Sequence, residues 1–266
     1  MTVHLEGPTM TAQPYASLAS IYRYPVKGLT PEPLTDVALS PGQPLPADRR
    51  YAIENGPIGF DPAAPQYFPK TQFLMLMRNE RLAALRSRYD DASHTLTIRQ
   101  DGAEVAQADL QSAEGRAAIE AYFAENFADE LRGPPKVLFA EGHSFSDVPR
   151  KVVSIINLAS VADLEKTIGQ PVHPLRFRGN LHVSGWPAWH EFDLLERTLK
   201  IGDARLKVVK RIVRCAATNV DPDTAARDLT IPKTLQQTYG HADCGIYAEV
   251  ITGGRIAAGD RIEVEA

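Results

Sequence analysis

The chain has 266 residues, of which 44% are apolar and 23% charged, and a formal net charge of −4. That length can bury one large core or two modest ones, and the balance excludes a disordered chain. No window approaches the ~18 consecutive apolar residues of a membrane-spanning helix, and no global positive field exists to attract nucleic acid or an acidic membrane, so any bound anion needs a local cluster of cations. The first fifteen residues show no basic region followed by an apolar one, so no secretory signal is expected. The only cysteines are Cys215 and Cys244, and free thiols in a reducing compartment are the expectation, which points to the cytoplasm.

In chain order, residues 18–24 read as a strand that stops at Pro25, which supplies no backbone donor. Val26, Lys27 and Gly28 follow as a turn. Within the Pro-rich stretch 30–46 only residues 34–39 alternate, as an edge strand would. Residues 48–53 begin another strand with Asp48, Arg49 and Arg50 at its mouth, and the glycines and prolines from 56 to 65 mark a loop. The stretch 81–89 fits helix and strand equally. Residues 94–99 alternate cleanly between turn signals at 90–93 and 101–102. Residues 112–127 predict a helix capped by Ser112, with Ile119, Tyr122, Phe123 and Phe127 on one apolar stripe. A short strand over 136–140 precedes a polar loop, 141–150, that reads as a linker between domains.

The second half begins with 152–156, apolar on both faces, and a helix that opens at Asn157 and ends near Gly169. Residues 177–183 alternate as a strand, with Arg178, Asn180 and His182 opposite Leu181 and Val183. Guanidinium and amide heads on one face suit an anionic or hydrogen-bonding ligand, and the same pattern also describes a solvated strand face. His190-Glu191 lacks the second histidine of a zinc-protease helix, and 221–224 lacks the glycine and glutamate of a calcium loop. A hairpin over 196–203 leads into a β-branched, cation-rich run that delivers Cys215 to small residues and an Asp-Pro turn. Cations upstream favour thiolate, the nucleophilic form that also binds soft metals, whereas the competing reading is a small buried packing residue. Because neighbouring strand side chains face opposite ways, Arg214 is expected at the site and Lys210 and Arg211 in solvent. A short helix over 230–239 and strands over 244–250 and 260–264, separated by a Gly253-Gly254 turn, complete the chain. The fold class expected is mainly β with a few helices, barrel-like in both halves.

Five short motifs occur in order: Tyr24-Pro25-Val26-Lys27, Asp48-Arg49-Arg50-Tyr51, Phe177-Arg178-Gly179-Asn180, Arg214-Cys215, and Thr218-Asn219-Val220-Asp221-Pro222-Asp223-Thr224. Together they resemble the MOSC family, named for the C-terminal domain of molybdenum cofactor sulfurase, in the two-domain branch that includes the mitochondrial amidoxime-reducing component and its bacterial relatives. The resemblance runs from about Leu18 to the C-terminus. It implies an N-terminal MOSC-type β-barrel domain over 16–140, a MOSC β-barrel domain over 150–266, and a molybdenum pyranopterin cofactor between them. It further implies Cys215 as the catalytic residue and thiolate ligand of molybdenum, with Lys27, Arg49, Arg178, Asn180 and Arg214 around the cofactor.

The implied activity is reduction of N-hydroxylated or N-oxygenated small molecules. No haem, flavin or iron–sulfur motif is visible, so electrons are expected from a separate redox protein. The alternative is a sulfur carrier or cofactor-binding accessory protein, in which Cys215 bears a persulfide received from a pyridoxal-phosphate cysteine desulfurase. The sequence departs from the family pattern at Gly179, where relatives usually have proline, at Val213, where they often have serine, and at Cys244, where phenylalanine is expected. Cys244 reads as a packing residue, and Asp221 as a turn former or a proton relay.

Overall fold

The computed structural model describes residues 15–265, so the expectation for the start of the chain lies outside the described residues. Strands dominate: β1 (Ser17–Arg23), β2 (Glu32–Leu34), β3 (Asp36–Leu39), β4 (Ala52–Asn55), β5 (Arg86–Tyr89), β6 (Thr95–Gln100), β7 (Ala103–Asp109), β8 (Pro135–Leu138), β9 (Val153–Asn157), β10 (Leu181–Ser184), β11 (Thr198–Ile201), β12 (Ala204–Val213), β13 (Asp243–Thr252), β14 (Gly254–Ala257) and β15 (Ile262–Glu265). The helices among the described residues are α1 (Ala113–Asn126), α2 (Leu158–Ile168) and α3 (Ile231–Tyr239). None of them is long and apolar enough to cross a membrane.

The large sheet runs β15-β11-β12-β13-β9-β10-β1-β2. It curls until β1 meets the chain entering β15: Leu18 N–H donates to Asp260 O at 2.8 Å, and Ile262 N–H donates to Ala16 O at 2.8 Å. Closure pairs backbone groups that an open sheet would leave bare. Alternation fills the interior, since Ala204, Leu206 and Val208 of β12 are buried while Arg205 and Lys207 point away. They meet Leu18, Ile21, Ile155, Leu181, Ile246 and Ala248 in one core.

That core also takes Val37, Leu39 and Leu45 from the first half of the chain. Strand β1 lies beside β10, with Ile21 opposite Leu181, and β3 pairs with β14, with Val37 opposite Ile256. The opening strands of the expected N-terminal unit, 16–140, thus complete the barrel of the second half. A separate core joins β4 to β8 and the β5-β6-β7 sheet to α1, around Tyr51, Ile53, Leu82, Leu96, Ile98, Ile119, Phe123 and Phe127.

Helix α1 starts where its cap predicts, with the Gly115 N–H donating to Ser112 Oγ at 2.9 Å. Helix α2 is capped by Asn157 and ends at Gly169 in the left-handed region. The strands β7 and β14 escape the pattern reading for different reasons. Strand β7 is mostly exposed and has no apolar alternation, and pairing with β6 makes it a strand. Strand β14 exists because β3, more than two hundred residues earlier, lies beside it.

Two further expectations change. Asp48 and Arg49 lie in a turn rather than at the start of a strand, Tyr51 bridges Val26, and the strand begins at Ala52. Residues 174–177 form a short 3-10 turn with Pro174 in its first turn, Arg178 follows with φ +50°, and β10 begins only at Leu181. Arg178, Asn180 and His182 consequently do not share a strand face.

Candidate functional site

A cavity of about 210 Å³ opens between the two cores, lined from the first half by Lys27, Arg49 and Lys70 and from the second by Arg176, Arg178, Lys210, Arg214 and Cys215. Against these cations stand only the carboxylates of Asp48 and Asp147. A chain of net negative charge has thus gathered positive charge around one thiol, the local cluster that anion binding demands.

The inner wall is built on Tyr24, the residue after β1, whose ring is fully buried. The guanidinium carbons of Arg49 and Arg178 lie 4.4 Å and 4.3 Å from its ring centroid, cation–π contacts that hold two like charges against one ring. Asp48 accepts from Tyr24 N–H at 2.8 Å and pairs with Arg49. Arg49 Nη2 donates to Arg178 O at 2.9 Å, and Arg178 Nη1 donates to Leu29 O at 2.8 Å. Both arginines have φ +50°, a region that costs an L-residue about 1–2 kcal/mol. The interlocking bonds hold each in place. Burial pushes the Tyr24 phenol up to about 12 and draws Arg178 down to about 10, so near neutrality the phenol is neutral and the guanidinium charged.

Lys27 reaches the cavity because Gly28 turns the chain with φ +88°, where a Cβ would lie 2.8 Å from Leu74 O. Its ammonium donates to Phe145 O at 2.9 Å and pairs with Asp147. Burial lowers the Lys27 pKa from its ordinary value, with Asp147 opposing. Lys70, 3.5 Å from the other Asp147 oxygen, moves the opposite way: burial disfavours its charge, but Asp147 and the Cys215 sulfur outweigh that.

Cys215 lies two residues beyond β12, half-buried, at the start of a 3-10 turn. Its carbonyl accepts from Thr218 N–H at 3.1 Å and Thr218 Oγ1 at 3.0 Å, which fixes the backbone and leaves the sulfur at the cavity. Arg214 is a brace: Nε donates to Cys244 O at 2.6 Å and Nη1 to Phe177 O at 2.8 Å. Asn180 is another, with Oδ1 accepting from Ser154 Oγ at 2.7 Å and Ser154 N–H at 3.1 Å, and Nδ2 donating to Tyr22 O at 3.1 Å. These two side chains line the cavity while their polar atoms tie strands together.

Lys27, Arg49, Arg178, Asn180, Arg214 and Cys215 are all brought to one cavity. Lys70, Asp147 and Arg176 escaped the sequence reading. Lys70 sits in an aperiodic loop without a motif, and Asp147 lies in the loop read as a linker, which instead carries it into the cavity wall. Lys210, beside Tyr247 at the cavity edge, is exposed to solvent as expected, whereas Arg211, opposite Ile246 on the other sheet face, is half-buried with its guanidinium 4.2 Å from the Phe192 ring.

Three singled-out residues lie off the cavity lining. Cys244 is fully buried among Ile156, Val161, Phe177 and Leu235, and burial lifts its thiol to about 12. Asp221 is committed to Arg176 Nη2 at 2.7 Å and to the Thr224 N–H at 2.8 Å of its own turn. His182 packs on Tyr22 with ring centroids 4.9 Å apart, and burial lowers it to about 4.

Fold and site together define a class: a closed-barrel protein with one half-buried thiol at the edge of a cation-lined cavity. Residues 15–130 match the MOSC N-terminal beta barrel domain and residues 141–263 the MOSC domain. The chain belongs to the MOSC family. It is 36% identical to human mitochondrial amidoxime-reducing component 1 over 89 residues, covering 34% of this chain and 26% of the relative. It is 32% identical to mitochondrial amidoxime reducing component 2 of Bos taurus over 122 residues, covering 41% of this chain and 36% of the relative. These matches therefore span about a quarter to a third of the relatives' length. Among solved structures, the YUAD protein from Bacillus subtilis aligns over 94% of both chains at 14% identity with a TM-score of 0.43. YiiM from Geobacillus stearothermophilus aligns over 43% of this chain and 54% of its own at 20% identity, with a TM-score of 0.35.

Proposed function

We propose that this protein is a molybdenum-cofactor-dependent oxidoreductase that reduces N-hydroxylated or N-oxygenated compounds, with Cys215 as the thiolate ligand of the metal. One observation carries the reading: the half-buried Cys215 lies at a cavity whose lining gathers Lys27, Arg49, Lys70 and Arg178 in a chain of net negative charge. Among the described residues no group of three or more His, Cys, Asp and Glu side chains is placed to hold a metal ion. A metal at Cys215 must therefore bring most of its ligands with it, as a dithiolene-bearing pterin does, and a soft thiolate suits it. The donor set fits such a group. Lys27, Arg49 and Arg178 would hold its anionic portion, and Arg214 and Asn180 would keep the walls in place.

The bound cofactor supplies two-electron redox chemistry. Cleavage of an N–OH bond consumes two electrons and two protons and releases amine or amidine and water. The chain's own work is to anchor through Cys215, to neutralise anionic charge, and to hold Lys70 beside the sulfur as a charged donor. Electrons would come from a separate donor protein.

Protein purified from cells supplied with molybdate should carry close to one molybdenum and one pterin per chain, and its X-ray absorption spectrum should give three sulfur ligands. Cys215→Ala should lose one of those ligands and abolish reduction of an N-hydroxy substrate, and turnover equal to the parent would refute the ligand role. Metal-free protein that accepts labelled persulfide sulfur on Cys215 from a cysteine desulfurase would instead establish the sulfur-carrier reading.

A further inference from the structure

The loop that carries Cys215 belongs to the second half by sequence and to the first half by packing. Val220 is buried in the core built around Tyr51, Phe123 and Phe127, and Ala217 packs against it. Arginines close the seam. Arg227 Nη1 donates to Ala216 O, the carbonyl next to Cys215, at 2.9 Å. Its Nη2 donates to Leu76 O at 3.1 Å and Met77 O at 3.3 Å, and pairs with Glu80 Oε2 at 2.9 Å. One guanidinium therefore joins the turn of the thiol to the turn 76–78, whose Leu76 and Met77 line the cavity. Arg86 fastens the far end of the loop, donating to Pro222 O at 2.7 Å and Asp223 O at 3.1 Å. The 3-10 turn that follows Cys215 has no side-chain cap, and hydrogen bonds of that turn type are weak by themselves. Among the described residues, Thr218 and Arg227 are the side chains that bond the backbone of 215–217, and Thr218 lies within the same turn. Arg227 is thus its tie to the rest of the molecule.

We propose that Arg227 is a positioning residue for Cys215: it ties the turn of the thiol to the first half, so that the sulfur keeps register with Lys27, Arg49 and Lys70, the cations that line the cavity from that half. Its effect on turnover rests on the proposed ligand role of Cys215, whereas the tie itself stands on the hydrogen bonds. A reacting centre held by the thiol on one side and by the first-half cations on the other needs both in one rigid frame, because small misplacements are costly in rate. Arginine suits the task, since its planar fork bonds carbonyls of two segments at once, which a single ammonium does not do in the same geometry.

Hydrogen exchange on protein expressed without molybdate reads the tie. In Arg227→Ala the amides of 215–220 and of 76–80 should exchange about three- to tenfold faster than in the parent. Arg227→Lys keeps a charge for Glu80 but does not span both turns, so 215–220 should loosen while 76–80 stays near the parent. The control is Arg255→Ala, which removes an exposed pair with Asp36 that also joins the two halves, and it should change neither segment. In the holo-protein, Arg227→Ala should keep its molybdenum and pterin, give fewer than three sulfur ligands per molybdenum by X-ray absorption, and lower kcat for an N-hydroxy substrate about tenfold with KM within about twofold of the parent.

Parent-like exchange over 215–220 in Arg227→Ala would overturn the inference, and should that variant not fold, the same result in Arg227→Lys decides against it. Faster exchange there with three sulfur ligands and the parent's kcat would also overturn the positioning role. Equal loosening in Arg255→Ala would reduce the effect to a general loss of stability and overturn it likewise. If parent and variants alike take up no molybdenum and reduce no N-hydroxy compound, the reductase reading fails instead, and exchange over 215–220 still decides the tie.

Discussion

Burial works against the charge on Asp147, yet Lys27 and Lys70 face it and hold its carboxyl well below the usual carboxylate range. The sign of its contribution follows. The unfolded chain titrates near 3.8 and the folded chain lower, so the unfolded state binds more protons in that interval. Stability from these pairs is fully present above the unfolded value and is lost as pH falls through the folded one. Urea midpoints measured from about pH 6 to pH 2 should fall steeply for the parent, and Asp147→Asn should flatten that fall. A variant with the parent's slope would show that other carboxylates carry it. At this scale the sequence named Lys27, Arg49, Arg178 and Cys215 through motifs, but Lys70 and Asp147 lie in aperiodic loops, and only proximity gives them a role. Arg214 and Asn180 were legible as site residues, but their work as braces was not, because their partners Phe177, Cys244 and Tyr22 are brought to them by strand pairing.

Between elements, Gly179 explains itself once β9 is in place. A Cβ at this position would sit 2.3 Å from Ile156 Cγ1, and Ile156 is fully buried against Phe177 and Leu164. The residue that departs from the family pattern is therefore matched to a bulky neighbour. Gly179→Ala should destabilise the fold by about 1–3 kcal/mol, as overpacking does. Combined with Ile156→Ala, which opens the space, the two losses should sum to less than their separate values in urea denaturation, and strict additivity would refute the contact. The same scale decides which cations of β12 face the cavity. The register with β13 sets Lys210 beside Tyr247 on the cavity face and Arg211 beside Ile246 on the face of the barrel core. Helices α1, α2 and α3 were legible because capping and apolar spacing are local, whereas β14 was not, because its partner β3 is remote in sequence.

Over the whole molecule, the opening strands bind the two halves into one body. Leu18 and Ile21 fill the barrel of the second half, and β1 covers the open side of β10. Residues 141–266 expressed alone should therefore aggregate or fail to unfold cooperatively, since β10 would be a bare edge and the core would lack two large side chains. Gel filtration and thermal unfolding check this, and a monomeric fragment with a sharp transition would contradict it.

The sequence by itself determined the β-rich class, the capped helices, the cysteine at the end of a cationic strand and the family motifs, because propensity, capping and alternation act within a few residues. Tertiary structure alone decided that β1 and β3 complete the second barrel, that a supposed linker supplies Asp147, and that Lys210 and Arg211 part to opposite sheet faces. Each of these depends on which distant strand lies alongside and in what register, which no local pattern encodes.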